Sequence, residues 1–269
     1  MKKKFKLGII GAGFMASAII QGVLKSKNLT SESIIVSDLS EDALLKAKEN
    51  FNVLTTSDNA FLCDNSEFIL FAIKPQSLSA VMEEIKNSCA EKFISIMAGI
   101  KRDKIRSFFP KSSIARCMPN TPCSIGFGAI GIDLSDYKNE NDRYFIRSIF
   151  SSLGEVVELS EDKLNAVTGI SGSSPAYFYL FLKGIIDAGI KAGLTETEAK
   201  HLAVNTMIGS GEMVKKNENK TLDELINAVC SKGGTTIQAV DVFKNGKLDD
   251  LIYKAVDACI KRSYELENL

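Results

Sequence analysis

Two glycine clusters in this chain are spaced for chemistry. In the first, Gly11-Ala12-Gly13-Phe14-Met15-Ala16, the small residues fall in a G-x-G-x-x-A pattern. Gly11 permits a tight turn, Gly13 lets the backbone approach a pyrophosphate, and Ala16 keeps the following helix close to its strand. The N-terminus of that helix would then stabilise the phosphate charge. Further on, Asp38 stands where a carboxylate hydrogen-bonds the adenosine ribose of a dinucleotide. A carboxylate there repels a 2′-phosphate, and Leu39 and Ser40 offer no cation to hold one. The expected cofactor therefore tilts towards NADH over NADPH.

The second cluster, Gly233-Gly234-Thr235-Thr236, lies between two helical patterns. Paired glycines open backbone N–H groups, and a helix starting at once with threonine near its N-cap suits capture of a small carboxylate. An ordinary corner between helices, with a glycine C-cap and a threonine N-cap, uses the same residues. Spacing alone favours the corner.

Other reactive residue types carry less. Cys63, Cys89, Cys117, Cys123, Cys230 and Cys259 show no C-x-x-C spacing, and His201 is the single histidine. No metal site is expected, and the thiols read as reduced and mostly buried. His201 reads as structural or exposed. Lys74, directly before Pro75 at a strand end, reads as shaping a loop rather than as a catalytic amine.

These residues need elements to position them. Apolar runs at 5–10, 33–38, 68–73 and 93–97 read as strands, followed by β-rich pieces at 113–117, 129–132 and 155–159. Residues 78–85 have helical periodicity. Strands apolar throughout, alternating with helices, imply a mainly parallel sheet covered on both faces, with ligands at the carboxyl ends of the strands. Those ends carry residues 11–15, Ser37 and Asp38, Lys74 and Pro75, Ala98 and Gly99, and Pro119 and Asn120. Beyond residue 160 only helical patterns remain, at 164–167, 176–192, 196–215, 222–229, 236–243 and 248–267. Thr195 with Glu198 forms a capping box, Ser160 sits like an N-cap, and Pro175 fits a first helical turn. The fold class is thus α/β: a Rossmann-type, mainly parallel sheet over residues 1–160, then an all-helical domain over 161–269.

Residues 176–182, Ala-Tyr-Phe-Tyr-Leu-Phe-Leu, are apolar nearly all round. So apolar a helix must be buried on several sides, and a domain of this size has little room to do that alone, so the helical domain is expected to form a subunit interface. Lysine plus arginine and aspartate plus glutamate each total 33. A zero net charge argues against nucleic acid or an anionic membrane as partner. The basic start followed by an apolar run mimics a signal peptide, but the glycines inside the run are better explained by the dinucleotide turn. No stretch is long enough for a membrane span, and a cytoplasmic location is expected.

Several segments together resemble pyrroline-5-carboxylate reductase: 72–76 (Ala-Ile-Lys-Pro-Gln), 97–100 (Met-Ala-Gly-Ile), 116–122 (Arg-Cys-Met-Pro-Asn-Thr-Pro), 166–177 and 233–237. The resemblance spans nearly the whole chain in order. Ser174 and Lys232 depart from it, standing where the family usually has glycine and proline. It implies reduction of 1-pyrroline-5-carboxylate to L-proline with NADH or NADPH, the last step of proline biosynthesis. It further implies that Gly11, Ala12, Gly13, Phe14 and Met15 hold pyrophosphate, that Ser37 and Asp38 meet the adenosine ribose, and that Asn59 adds a cofactor contact. Ala72, Lys74 and Pro75 would line the cofactor groove, with Met97, Ala98 and Asn120 near the nicotinamide. Ser231, Gly233, Gly234, Thr235 and Thr236 would bind substrate, with Glu161 a further candidate. The family also implies a dimer interlocked through the helical domain and often larger rings.

Thr236 is the expected donor to the imine nitrogen, orienting the substrate rather than acting as a general acid. A hydroxy-acid dehydrogenase would need a lysine or histidine base, for which Lys163 and Lys183 are the nearest candidates, without a supporting motif. A non-enzymatic dinucleotide-binding regulator would not need the Gly-Gly-Thr-Thr loop.

Overall fold

The computed structural model describes residues 3–267. Its first elements are β1 (Phe5–Ile10), α1 (Phe14–Lys25), β2 (Ile34–Ser37), α2 (Glu41–Phe51), β3 (Leu54–Thr56), α3 (Asn59–Asn65) and β4 (Ser66–Phe71). Then come α4 (Leu78–Ile85), β5 (Lys92–Ser95), α5 (Arg102–Arg106), β6 (Ser113–Met118), β7 (Gly128–Asp133), α6 (Glu140–Ser151) and β8 (Gly154–Glu158). The remainder is helical: α7 (Leu164–Val167), α8 (Ser174–Lys191), α9 (Glu196–Lys216), α10 (Leu222–Val229), α11 (Thr235–Asn245) and α12 (Leu248–Leu266).

All eight strands join one sheet in the order β3-β2-β1-β4-β5-β6-β7-β8. Pairing is parallel except between β6 and β7, so β7 and β8 run against the rest. The central strands β1, β2 and β4 are buried at nearly every position because both faces of the sheet are covered there. In β4, Phe68 and Leu70 enter one core with Ile19 and Val23 of α1 and Ile149 and Phe150 of α6. The alternate residues Ile69 and Phe71 enter a second core with Leu62 of α3, Met82 and Ile85 of α4, and Ile105 of α5. Each such fully buried side chain stabilises the fold by about 1.5–3 kcal/mol relative to exposure.

The chain sequence reverses direction across the sheet between β1 and β4, which are neighbours although β2 and β3 intervene in sequence. A crevice outside the carboxyl ends of strands opens at such a switch point. Here those ends are Gly11 and Ala72, tied to the sheet by Gly11 N donating to Ser37 O (2.7 Å) and Ala72 N to Ile10 O (2.8 Å).

By contact the chain divides into two compact units, residues 1–175 with 258–269, and residues 176–257. The second unit holds most of α8, all of α9 to α11, and the first half of α12. Its helices are locally well specified. Thr195 and Thr221 each cap their helix in a reciprocal box, with Glu198 and Glu224 respectively. Its apolar side chains nevertheless stay uncovered within the chain: Leu180 is 73% exposed, Leu202 61% and Phe178 57%. Phe178, Phe181, Leu182, Ile185, Leu202 and Val214 line an apolar groove of about 550 Å³ on this unit. Among the described residues, no helix is long and apolar enough to cross a membrane.

Candidate functional site

The glycine loop takes the form its spacing predicts. Gly11 has φ +102°, and a Cβ there would stand 2.6 Å from the carbonyl oxygen of Ala72, so both conformation and space demand glycine. A Cβ on Gly13 would meet nothing within 4 Å, leaving the loop open on its outer side. Gly13 caps α1 without a side-chain hydrogen bond, and no acidic residue lies in the first turn. The first N–H groups of α1 are therefore directed at an open, uncrowded surface, which fits a pyrophosphate. Phe14 is exposed and Met15 half-buried beside them.

Asp38 at the end of β2 is bound to this loop. Its Oδ2 accepts from Ala12 N (2.7 Å) and its Oδ1 from Ser40 N (2.9 Å). Ala12 thus fixes the loop to the carboxylate. The buried Ser37 hydroxyl donates to Asn59 Oδ1 (2.6 Å), and Asn59 Nδ2 donates to Glu84 Oε2 on α4 (2.5 Å). Asn59 is 7% exposed and its amide orientation is set from both ends. Glu84, the residue that sets it, is invisible to sequence spacing because it lies on another element.

Ala72, Lys74 and Pro75 follow β4, with Pro75 opening a short 3-10 turn that leads into α4. Met97 and Ala98 follow β5, Met97 being buried and Ala98 half-buried. Asn120 follows β6 and is spent on the protein: Nδ2 donates to Ser171 O (3.1 Å), and Oδ1 accepts from Ala129 N (3.1 Å). It thereby holds the π-helical turn Thr168–Gly172, a type of local widening frequent at functional sites.

Glu161 lies in the sheet unit and already has three donors. Its Oε1 accepts from Arg102 N (2.8 Å) and Arg116 Nη1 (3.1 Å), and its Oε2 from Arg102 Nε (3.0 Å). Burial alone would raise this carboxyl, but the Arg102 N–H, its guanidinium and Arg116 outweigh that and hold it below the usual carboxylate range. Arg116 is only 2% exposed. Arg102 also meets Asp133 (3.2 Å) and Ser135 (2.8 Å). This arrangement favours a bracing role for Glu161 over contact with a substrate.

In the helical unit, Gly234 N donates to Ser231 O (3.0 Å), closing a four-residue turn in which Gly233 has φ +74°. A positive φ at the third position marks the turn type that favours proline at the second. Lys232 occupies that second position, and the turn closes without proline. Gly234, not a threonine, caps α11, again with no side-chain hydrogen bond and no acid in the first turn. Thr235 and Thr236 are both exposed in that turn. N–H groups without a side-chain cap, beside two hydroxyls, are the kind of donors that a small carboxylate requires.

The alternative bases gain nothing. Lys183 is paired with Asp187 (2.5 Å) on the surface of α8, and His201 is exposed on α9. Cys63, Cys117 and Cys123 are buried, and burial with the nearby Asp64 pushes the Cys63 thiol up to about 12.

Comparison with known proteins gives a consistent result. A family model for pyrroline-5-carboxylate reductase dimerisation matches residues 161–266, and one for NADP oxidoreductase, coenzyme F420-dependent, matches residues 6–99. A pyrroline-5-carboxylate reductase of Synechocystis sp. is 36% identical over 262 residues, 97% of this chain and 98% of the relative. One from Arabidopsis thaliana is 34% identical, with 98% and 96% covered. Among solved structures, a pyrroline-5-carboxylate reductase from Coxiella burnetii superposes with a TM-score of 0.88 at 33% identity, covering 98% of this chain and 99% of that one. A Plasmodium falciparum pyrroline carboxylate reductase with NADP bound gives 0.87 at 30% identity, covering 99% and 100%.

Proposed function

The chain belongs to the pyrroline-5-carboxylate reductase family, and on that premise we propose how its residues divide the work. It reduces 1-pyrroline-5-carboxylate to L-proline with a nicotinamide dinucleotide, and it self-associates through its helical region. When bound, the reduced nicotinamide supplies the hydride.

Gly11, Ala12, Gly13, Phe14 and Met15 hold the pyrophosphate at the N-terminus of α1. Ser37 and Asp38 meet the adenosine ribose, Asn59 adds a further cofactor contact, Ala72, Lys74 and Pro75 line the groove, and Met97, Ala98 and Asn120 border the nicotinamide. Ser231, Gly233, Gly234, Thr235 and Thr236 bind the substrate carboxylate and ring, with Glu161 bracing the framework. The observation that carries the reading is the uncapped start of α11, where open N–H groups and the Thr236 hydroxyl lie together in one turn. The imine nitrogen gains basicity during reduction, and the Thr236 hydroxyl donates a hydrogen bond to it, orienting the ring for attack. A threonine is too weak an acid to be the ultimate proton source, so water completes the protonation.

NADH is the preferred cofactor in this scheme, because a carboxylate at Asp38 repels a 2′-phosphate and no cation stands at Leu39 or Ser40. Residues 1–160 form the dinucleotide-binding module and 161–269 the substrate-binding and dimerisation module, assembled as a dimer or a ring of dimers. The six free thiols suit a reducing cytoplasm.

Initial rates with 1-pyrroline-5-carboxylate and each reduced cofactor test this. Turnover favouring NADH, with Asp38→Ser shifting the kcat/KM ratio towards NADPH, is expected. A wild-type preference for NADPH would refute the role of Asp38, and no turnover with either cofactor would refute the scheme.

A further inference from the structure

The segment that follows β5 carries Met97 and Ala98 and then enters α5, and it is held from outside by the last turn of α12. Gly99 has φ +71°, and a Cβ on it would stand 2.6 Å from Leu266 Cβ and 3.3 Å from Ser263 O of α12. The last turn of α12 therefore rests directly on the backbone of this loop. Two residues on, the Lys101 ammonium meets Glu267 Oε2 at 2.8 Å. Glu267 is 7% exposed on its side chain although it carries charge, and its Oε1 accepts from Asn165 Nδ2 at 2.7 Å. Asn165 in turn accepts from the buried Ser263 hydroxyl (2.7 Å), and Cys259 Sγ reaches Ser173 Oγ at 3.3 Å. The Glu267 carboxylate, by hydrogen bond first and charge second, raises the Lys101 ammonium above its usual range.

A buried carboxylate is retained only where donors satisfy it, and here one donor, Lys101, follows the loop proposed to border the nicotinamide, while the other, Asn165, lies on α7. We propose that Leu266 and Glu267 are positioning residues for the cofactor, acting through Gly99 and Lys101 to set the position of the loop carrying Met97 and Ala98. The proposal rests on the reading above that this loop borders the nicotinamide. The pairs are far apart in sequence and close in space, so the last turn of α12 backs the loop after β5. Loss of either contact frees the loop to sample other positions, which weakens cofactor binding in proportion to the fraction of time the loop is misplaced.

The test uses Glu267→Lys, Leu266→Ala and the charge exchange Lys101→Glu with Glu267→Lys, with Ala98→Leu as a probe of the groove itself. NADH affinity is read by fluorescence titration, alongside KM, kcat and thermal midpoint. Glu267→Lys is expected to weaken NADH binding about fivefold, the order of losing one ordinary hydrogen bond, with kcat changed less than about twofold. The exchange restores the ion pair but not the bond from Asn165, so it is expected to recover part of the lost affinity, and Leu266→Ala to weaken it without any change of charge. If Ala98→Leu weakens NADH binding while Glu267→Lys and Leu266→Ala do not, the proposal is overturned and the groove reading stands. If Ala98→Leu also leaves binding unchanged, the groove reading falls and takes the proposal with it. A parallel fall in affinity, kcat and thermal midpoint that the exchange does not reverse would mark the contacts as merely structural and also overturn it.

Discussion

The sheet unit and the helical unit of this chain treat apolar side chains in opposite ways. In the first, Phe68, Phe71, Phe93 and Phe150 are fully buried and both faces of the sheet are covered. In the second, residues 176–257 bury only Ala199 and Ala203 among their described hydrophobic residues, while Phe178, Leu180 and Leu202 stay exposed. A lone helical unit with so much uncovered apolar surface would be marginal. One unit is complete as a single chain. The other is built to be completed by a second copy, which is what a dimerisation match over residues 161–266 describes.

The sharpest way to break this contrast is a charge in the apolar groove. Leu202→Glu places a carboxylate where a second copy would bury it, at a cost of about 3 kcal/mol or more for an unpaired buried charge. Sedimentation should show monomers, and activity should be lost. A dimeric, active Leu202→Glu variant would mean that the groove is not the interface.

A smaller effect is expected inside the self-sufficient unit. Glu161→Gln removes the charge that compensates Arg102 and Arg116, which should destabilise the protein by about 2 kcal/mol at neutral pH. Because the native Glu161 carboxyl is held below its unfolded value, this stabilisation is fully present above a pH of about 4.3 and declines as pH falls through the lowered native value. The difference between wild type and variant in denaturant melts should thus narrow in acid. A gap that is constant with pH would show that the contribution of Glu161 is not electrostatic.

The smallest effect lies in the proposed substrate turn. Lys232→Pro restores the residue that the second position of this turn prefers, and should stabilise by about 0.4–1 kcal/mol through the unfolded state. A lowered thermal midpoint would show that the turn is not of the type its hydrogen bond and the φ of Gly233 indicate.

What the sequence made legible depends on distance along the chain. The glycine loop, Asp38 and the capping box at Thr195 were readable because their partners sit at fixed local spacings. The expected strands all appear; in β1, β2 and β4 burial on both faces leaves largely apolar runs, whereas the edge strand β8 is mostly exposed. Elements without that signature were missed. β3 is only Leu54–Thr56, too short to show a period, and α2 is nearly half charged, with Ala47 its one buried residue. α6 buries Ile146, Ile149 and Phe150 at helical spacing and was readable in principle. Side-chain fates set by tertiary structure were not. Glu161 finds Arg102 across 59 positions, and Asn59 finds Glu84 across 25. The start of α11 was nearly right, but Gly234 takes the cap and Thr236 falls inside the first turn.

The division of labour between the two units is tested most directly by Thr236→Ala, with NADH affinity and turnover measured on the same preparation. The account predicts kcat/KM for 1-pyrroline-5-carboxylate lowered at least about tenfold, on the order of 1.4 kcal/mol, with NADH affinity unchanged. Equal losses of cofactor binding and turnover, or no loss of either, would contradict it.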